Sequence, residues 1–437
     1  MALLLVAAAP PAAADPGARA IAEEARALPE PPAPPPVRVT PPPGRPPGPA
    51  EGLRAPARCT PPRTDTRSAV VEAADEAADT MRLTEVHRLA TGRGQLIAVI
   101  DTGVAPHPLL GSRLSGGGDY LTGGDGLDDC DGHGTAVAGL LAAAAPAGER
   151  TGAPIGIAPQ ARLLSIRQSS PSFDVPAPDG GLRPAGDTET LAEAVVLAVR
   201  AGAGVVNISE AVCLPAPRAA GAGAALQAAL RFAAHADVVV VAAAGNVGTG
   251  SCALDVPGQV ALPGWFDQDV LTVGAVAPDG APAPFTMPGP WVDVAAPGTG
   301  LRSLAVGGGT VDGLDGTSFA APWVAGVAAL VRERFPELTA AQVVDRILAT
   351  ARRQPDLRGA LGHGVVDPVA ALTALPVRLT PEPADAPVLA ALPGTDPQPD
   401  PPAPALRPLD LVVAAILLAA AGAAAAVLRG RPRPRPR

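Results

Sequence analysis

Lysine is absent from this 437-residue chain, and all 33 basic residues are arginine. Together with the abundance of alanine and proline, that absence reflects the base composition of the coding DNA rather than a function. Aromatic residues make up only 2% of the chain, so a core must be built from Ala, Val and Leu, for which the 47% hydrophobic content is ample. Positive charge is in deficit, with a net charge of -9, and no basic patch is interleaved with aromatics, which argues against nucleic acid as a partner. Cysteines number four, Cys59, Cys130, Cys213 and Cys252, with no CxxC pair to hold zinc. The acidic run Asp125, Asp128, Asp129 and Asp131 misses EF-hand spacing, and a solvated acidic loop is favoured over a calcium loop. The expectation is no metal and no cofactor.

What is present is three short motifs in order: Asp101-Thr102-Gly103, His133-Gly134-Thr135 and Gly316-Thr317-Ser318. They supply an acid, a base and an alcohol. A serine hydroxyl is a poor nucleophile until a hydrogen-bonded imidazole takes its proton, and a buried carboxylate fixes that imidazole's tautomer. Asp101 closes the apolar run Leu96 to Ile100, which reads as a buried strand, so its carboxylate stands at a strand's C-terminal end. His133 and Ser318 each open an apolar helical segment, Ala136 to Ala145 and Phe319 to Arg334. Free N–H groups at a helix start suit an oxyanion forming beside Ser318. A second buried strand from Asp237 runs into Ala244-Gly245-Asn246, where the Asn246 amide can donate to the same oxyanion. Each residue alone also fits a turn or a helix cap. All four together, in order and each at the end of an element, point to acyl-transfer chemistry. His87, His107, His235 and His363 have no ligand spacing and read as surface or core residues.

In this order the chain resembles the subtilisin-like serine peptidases, most specifically through Gly316-Thr317-Ser318-Phe319-Ala320-Ala321-Pro322 and the residues up to Gly326. The resemblance implies a triad of Asp101, His133 and Ser318, with Asn246 as oxyanion donor. It also puts Ser209-Glu210-Ala211 near the edge that pairs with an extended substrate, with Glu210 and Ala211 departing from the usual residues. The expected fold is α/β, a three-layer subtilisin-like arrangement. Strand-like and helix-like runs alternate from Ala161 onward, which predicts a mostly parallel sheet with helices on both faces.

Proline marks the edges of the folded body. Eighteen of 55 prolines precede residue 63 and eleven more lie between Pro376 and Pro408, stretches that favour extended conformations. The expected organisation is a signal peptide over 1–14, a Pro-rich extension over 15–75, the peptidase domain over 76–375, a Pro-rich linker over 376–408, a transmembrane helix over 409–428 and an Arg-rich cytoplasmic tail over 429–437. The signal lacks a basic n-region, and an Ala-rich tail is its competing reading. Leu411 to Leu428 is uninterrupted and apolar, and the arginines after it should stay in the cytoplasm, which puts the body outside. A buried Ala-rich helix is the alternative there. The even cysteine count fits export. Of three possible pairings, the expected one is Cys59 with Cys130 and Cys213 with Cys252, against free buried thiols.

With these extras, the Leu127 to Thr135 segment, the Val205 to Glu210 segment and the ending Gly364 to Leu372, the chain is similar to the mycosins. That resemblance implies a membrane-anchored, extracytoplasmic serine endopeptidase, single-pass in the cell membrane. Its implied partners are protein or peptide substrates and a type VII secretion membrane complex, which such proteins also stabilise. It further implies that the N-terminal extension wraps the catalytic body.

Overall fold

A computed structural model of the chain describes residues 30–59, 76–144, 155–354 and 357–375. The expected signal, linker, transmembrane helix and tail lie outside the described residues. Among the described residues, no helix is long and apolar enough to cross a membrane.

The strands are β1 (Leu96–Asp101), β2 (Leu114–Asp119), β3 (Arg162–Arg167), β4 (Ser170–Pro176), β5 (Leu182–Ala185), β6 (Val205–Ile208) and β7 (Val212–Pro215). They continue as β8 (Val239–Ala243), β9 (Gln259–Leu262), β10 (Leu271–Val276), β11 (Val294–Pro297), β12 (Leu301–Leu304) and β13 (Thr310–Leu314). The helices are α1 (Leu83–Leu89), α2 (His133–Ala142), α3 (Thr188–Arg200), α4 (Ala216–Ala222) and α5 (Ala224–His235). They are followed by α6 (Thr317–Arg334), α7 (Ala340–Thr350), α8 (Arg358–Leu361) and α9 (Pro368–Thr373).

Seven strands form one sheet in the order β11-β10-β8-β6-β1-β3-β2, and each neighbouring pair is parallel. Its central strands are buried on both sides, so they read as continuous apolar runs rather than alternating ones. The period of two still sorts their side chains. Ile97, Val99, Val205, Val239 and Val241 join the core under α2 and α6, whereas Ala98, Ile100, Val206, Ile208, Val240 and Ala242 join the core under α3 and α5. The fold is the three-layer α/β arrangement expected. Small side chains build it: α6 buries Ala320, Ala321, Ala325, Ala328 and Ala329 along its length, which lets the helix approach the sheet closely.

The Pro-rich extension is more engaged than its composition predicts. Residues 30–59 form no helix or strand, yet the segment is docked along its length. Pro32 O accepts from Trp265 Nε1 at 2.9 Å, Pro35 O from Gln227 Nε2 at 2.6 Å, and Arg45 Nε donates to Glu193 at 3.1 Å. Arg54 exchanges backbone hydrogen bonds with Asp174 on β4 at 2.8 and 3.1 Å. Proline carbonyls have no intrahelical partners to satisfy, so they serve side-chain donors on the body's surface. The segment ends in the Cys59–Cys130 disulfide, and Cys213–Cys252 is the second bridge.

Candidate active site

The C-terminal ends of β1, β6 and β8 deliver Asp101, the 209–211 segment and the loop carrying Asn246 to one edge of the sheet. The Asp101 side chain is fully buried, and its Oδ1 meets Nδ1 of His133 at 2.7 Å, while the imidazole stays 27% exposed. Thr102 N–H donates to the same Oδ1 at 2.7 Å. Burial disfavours the imidazolium, but the charge and hydrogen bond of Asp101 outweigh it and raise the pKa of His133 above its ordinary value.

Ser318 is the second residue of α6, and the ring of Phe319 beside it lies 5.0 Å from the His133 imidazole. A Cβ on Gly316 would stand 2.9 Å from Ser318 Oγ and 3.2 Å from Asn246 Nδ2, so the hydroxyl and the amide converge on one point that only glycine leaves open. The amide's orientation is forced. Asn246 Oδ1 accepts from Thr317 N at 3.0 Å and Thr317 Oγ1 at 2.9 Å, which turns Nδ2 toward Ser318. Thr317 Oγ1 in turn accepts from Gly245 N at 3.1 Å. At the start of α6, Thr317 N–H is used by Asn246 and Phe319 N–H by Gly316 O, while no side chain caps the helix. Ser318 N–H is thereby left for a developing oxyanion.

A second polar network holds His133. Asp129 is buried, and its Oδ1 accepts from Thr102 Oγ1 at 2.9 Å, Gly132 N at 2.8 Å and Asp131 N at 3.2 Å. Its Oδ2 accepts from Thr135 N at 2.8 Å and Thr135 Oγ1 at 2.6 Å. Asp129 therefore caps the start of α2 and ties it to the end of β1. Gly134 N–H donates to Thr102 Oγ1 at 3.0 Å, and a Cβ there would fall 2.0 Å from Gly103 O, so the glycine permits this close approach. Each of the three motifs thus contributes a threonine hydroxyl to the networks around the site: Thr102 and Thr135 bond Asp129, and Thr317 bonds Asn246. Sequence reasoning singled out the glycines and missed the threonines and Asp129. The signal was available, because every motif carries one threonine.

The acidic loop is engaged in hydrogen bonds. Besides Asp129, Asp131 accepts from Ser170 Oγ at 2.5 Å and Ser172 N at 3.1 Å, and Asp125 accepts from Leu127 N at 3.0 Å. Among the described residues, no group of His, Cys, Asp or Glu is arranged to hold a metal ion.

Of the expected substrate segment, Ser209 is buried and its Oγ accepts from Asn207 Nδ2 at 2.8 Å, a structural use. Glu210 is half-buried and accepts a hydrogen bond from Ser169 Oγ. Ala211 packs beside the Asn246 loop: a Cβ on Gly245 would meet Cys252 Sγ at 3.2 Å and the Ala211 Cβ at 3.5 Å. The Cys213–Cys252 bridge pins these two walls together.

A buried acid on an imidazole, with a serine and an amide converging nearby at the C-terminal edge of a parallel sheet, is the arrangement of an acyl-transfer hydrolase. The subtilase family model matches residues 92–364. The chain belongs to that family and is a subtilisin-like serine endopeptidase. Within the family it is a member of the mycosins. It is 47% identical over 320 residues to Mycosin-4 of Mycobacterium tuberculosis (strain ATCC 25618 / H37Rv), covering 69% of each chain. Among solved structures it is similar to the MycP3 protease from the type VII (ESX-3) secretion system, with a TM-score of 0.67, 42% identity and coverage of 78% of this chain and 100% of that one. It is also similar to a chain in the structure of an intact ESX-5 inner membrane complex, with a TM-score of 0.69, 37% identity and coverage of 91% of this chain and 98% of that one.

Proposed function

We propose that Ser318 is the nucleophile, His133 the general base, Asp101 the residue that orients it, and Asn246 with the Ser318 N–H the oxyanion donors. The 2.7 Å bond from Asp101 to His133 Nδ1 carries the reading, because it holds the Nδ1–H tautomer and leaves Nε2 to take a proton. His133 removes the proton of Ser318 as Oγ attacks the peptide carbonyl. The negative charge that forms on the carbonyl oxygen is met by Asn246 Nδ2 and Ser318 N–H, which the Thr317 bonds hold in place before reaction. The imidazolium then gives its proton to the leaving amine, and a water repeats the cycle on the acyl-enzyme.

The setting we infer is extracytoplasmic. The apolar run Leu411 to Leu428 followed by five arginines serves as a single-pass anchor with its basic end in the cytoplasm. The two disulfides support an oxidising compartment. Substrates are secreted proteins of a type VII system, and the chain is a component of that system's membrane complex. The similarity to a chain within the ESX-5 inner membrane complex supports this second, structural role beside proteolysis. Ser318→Ala separates the two roles: substrate processing stops while secretion and complex assembly continue. Cleavage that persists in Ser318→Ala removes Ser318 as nucleophile.

A further inference from the structure

In the sheet, β1 lies between β3 and β6. The register sets Asp101 opposite Arg167 on β3 and Ile100 opposite Ile208 on β6. The residues just past these strand ends therefore flank the Asp101–His133 pair. Glu210 follows β6, Ser169 follows β3, and the hydrogen bond from Ser169 Oγ to Glu210 Oε1 joins the two segments across the end of β1. Asp131, two residues before His133, bonds Ser170 at the start of β4, next to Ser169. The carboxylates whose charge reaches the imidazole are Asp101, Glu210 and Asp129, and Asp101 Oδ2 is buried without a protein partner. Glu210 feels Asp101, His133 and Asp131, and no arginine is among these charges.

Resting on the triad assigned above, we propose that Glu210 makes this cleft selective for a substrate with a basic side chain on the acyl side of the scissile bond. The carbonyl under attack is held between Ser318 and Asn246, and an extended substrate runs from there along 209–211 past His133. Side chains of alternate residues in an extended strand share a face, so the second or the fourth residue on the acyl side meets Glu210. Glu210 and Asp131 are both half-buried, open enough to meet a ligand and shielded enough for charge to count. Burial first, then repulsion from Asp101, holds the Glu210 carboxyl well above the usual carboxylate range. An arriving guanidinium offsets both and draws the proton off. A charge-assisted contact of this kind is worth about tenfold or more in kcat/KM.

The test uses the full-length, disulfide-intact protein and fluorogenic peptides that differ only in arginine or citrulline at the second or fourth acyl-side position. Citrulline keeps the shape and removes the charge. The wild type is expected to favour arginine about tenfold at one of these positions, with the ratio falling toward one in Glu210→Gln. Equal rates for the two peptides in the wild type overturn the inference whether or not the variant folds. A preference that survives in Glu210→Gln assigns the selectivity elsewhere and overturns it too. Ser318→Ala is run alongside, since cleavage there faults the triad reading rather than the role of Glu210.

Discussion

Thr317→Val is the sharpest probe of how this site is held. Valine keeps the shape of threonine and removes only Oγ1. Two hydrogen bonds vanish: Oγ1 to Asn246 Oδ1 at 2.9 Å, and Gly245 N to Oγ1 at 3.1 Å. Only the Thr317 N–H, at 3.0 Å, then orients the Asn246 amide. Losing an oxyanion donor outright costs about a hundredfold to a thousandfold in kcat. One of two orienting bonds is worth about 1 kcal/mol, so kcat should fall about fivefold, with KM little changed because the lost interaction matters in the transition state. Separately, the Gly245 N–H is left unpaired in a buried place, which should lower stability by about 1–3 kcal/mol. Steady-state kinetics on a peptide substrate and urea denaturation measure the two effects. The Asn246→Ala background decides the mechanism: there Thr317→Val should cost nothing further in kcat. An unchanged kcat in the single variant, or an equal drop in both backgrounds, refutes the role given to Thr317.

Asp129→Asn should destabilise the protein by about 3 kcal/mol or more, read by denaturant unfolding, because an amide cannot accept the bonds that both carboxylate oxygens receive from the Thr102, Gly132 and Thr135 region. Its kcat should fall as well, since α2 carries His133. His87 and His107 are held below their ordinary pKa by burial, against backbone carbonyls that partly support the charge. The folded protein keeps them neutral where the unfolded chain protonates near 6.5, so stability is full above that pH and is lost as pH falls below it. Melting curves from pH 7 to 5 should show a shallower acid loss in His107→Gln than in the wild type.

Much of the candidate site was legible in the sequence as a proposal. Asp101, His133 and Ser318 announce themselves because each needs a glycine or a strand end beside it, and those needs are local. Element boundaries were less so. The strand expected from Asp237 begins at Val239, since Asp237 takes a φ of 61° and its carboxylate accepts from Ala340 N at 2.5 Å at the start of α7. That partner lies far along the chain, so no window around Asp237 contains the reason. The family resemblance implied that the extension wraps the body, but its partners were hidden the same way: composition reports that proline makes no helix and does not say which donors its carbonyls will meet.

The sequence alone determined the reaction, because a serine, an imidazole, a carboxylate and an amide in this order at element ends have one shared chemistry. It also determined the layered α/β fold through apolar strands alternating with helices. The tertiary structure decided what surrounds that chemistry. Strand order placed Ser169 and Glu210 on either side of Asp101, although they are far apart in the chain, and it folded the acidic loop onto α2 as a cap. Local patterns specify which groups a residue needs nearby. Only the sheet's crossover order specifies which distant residues end up there.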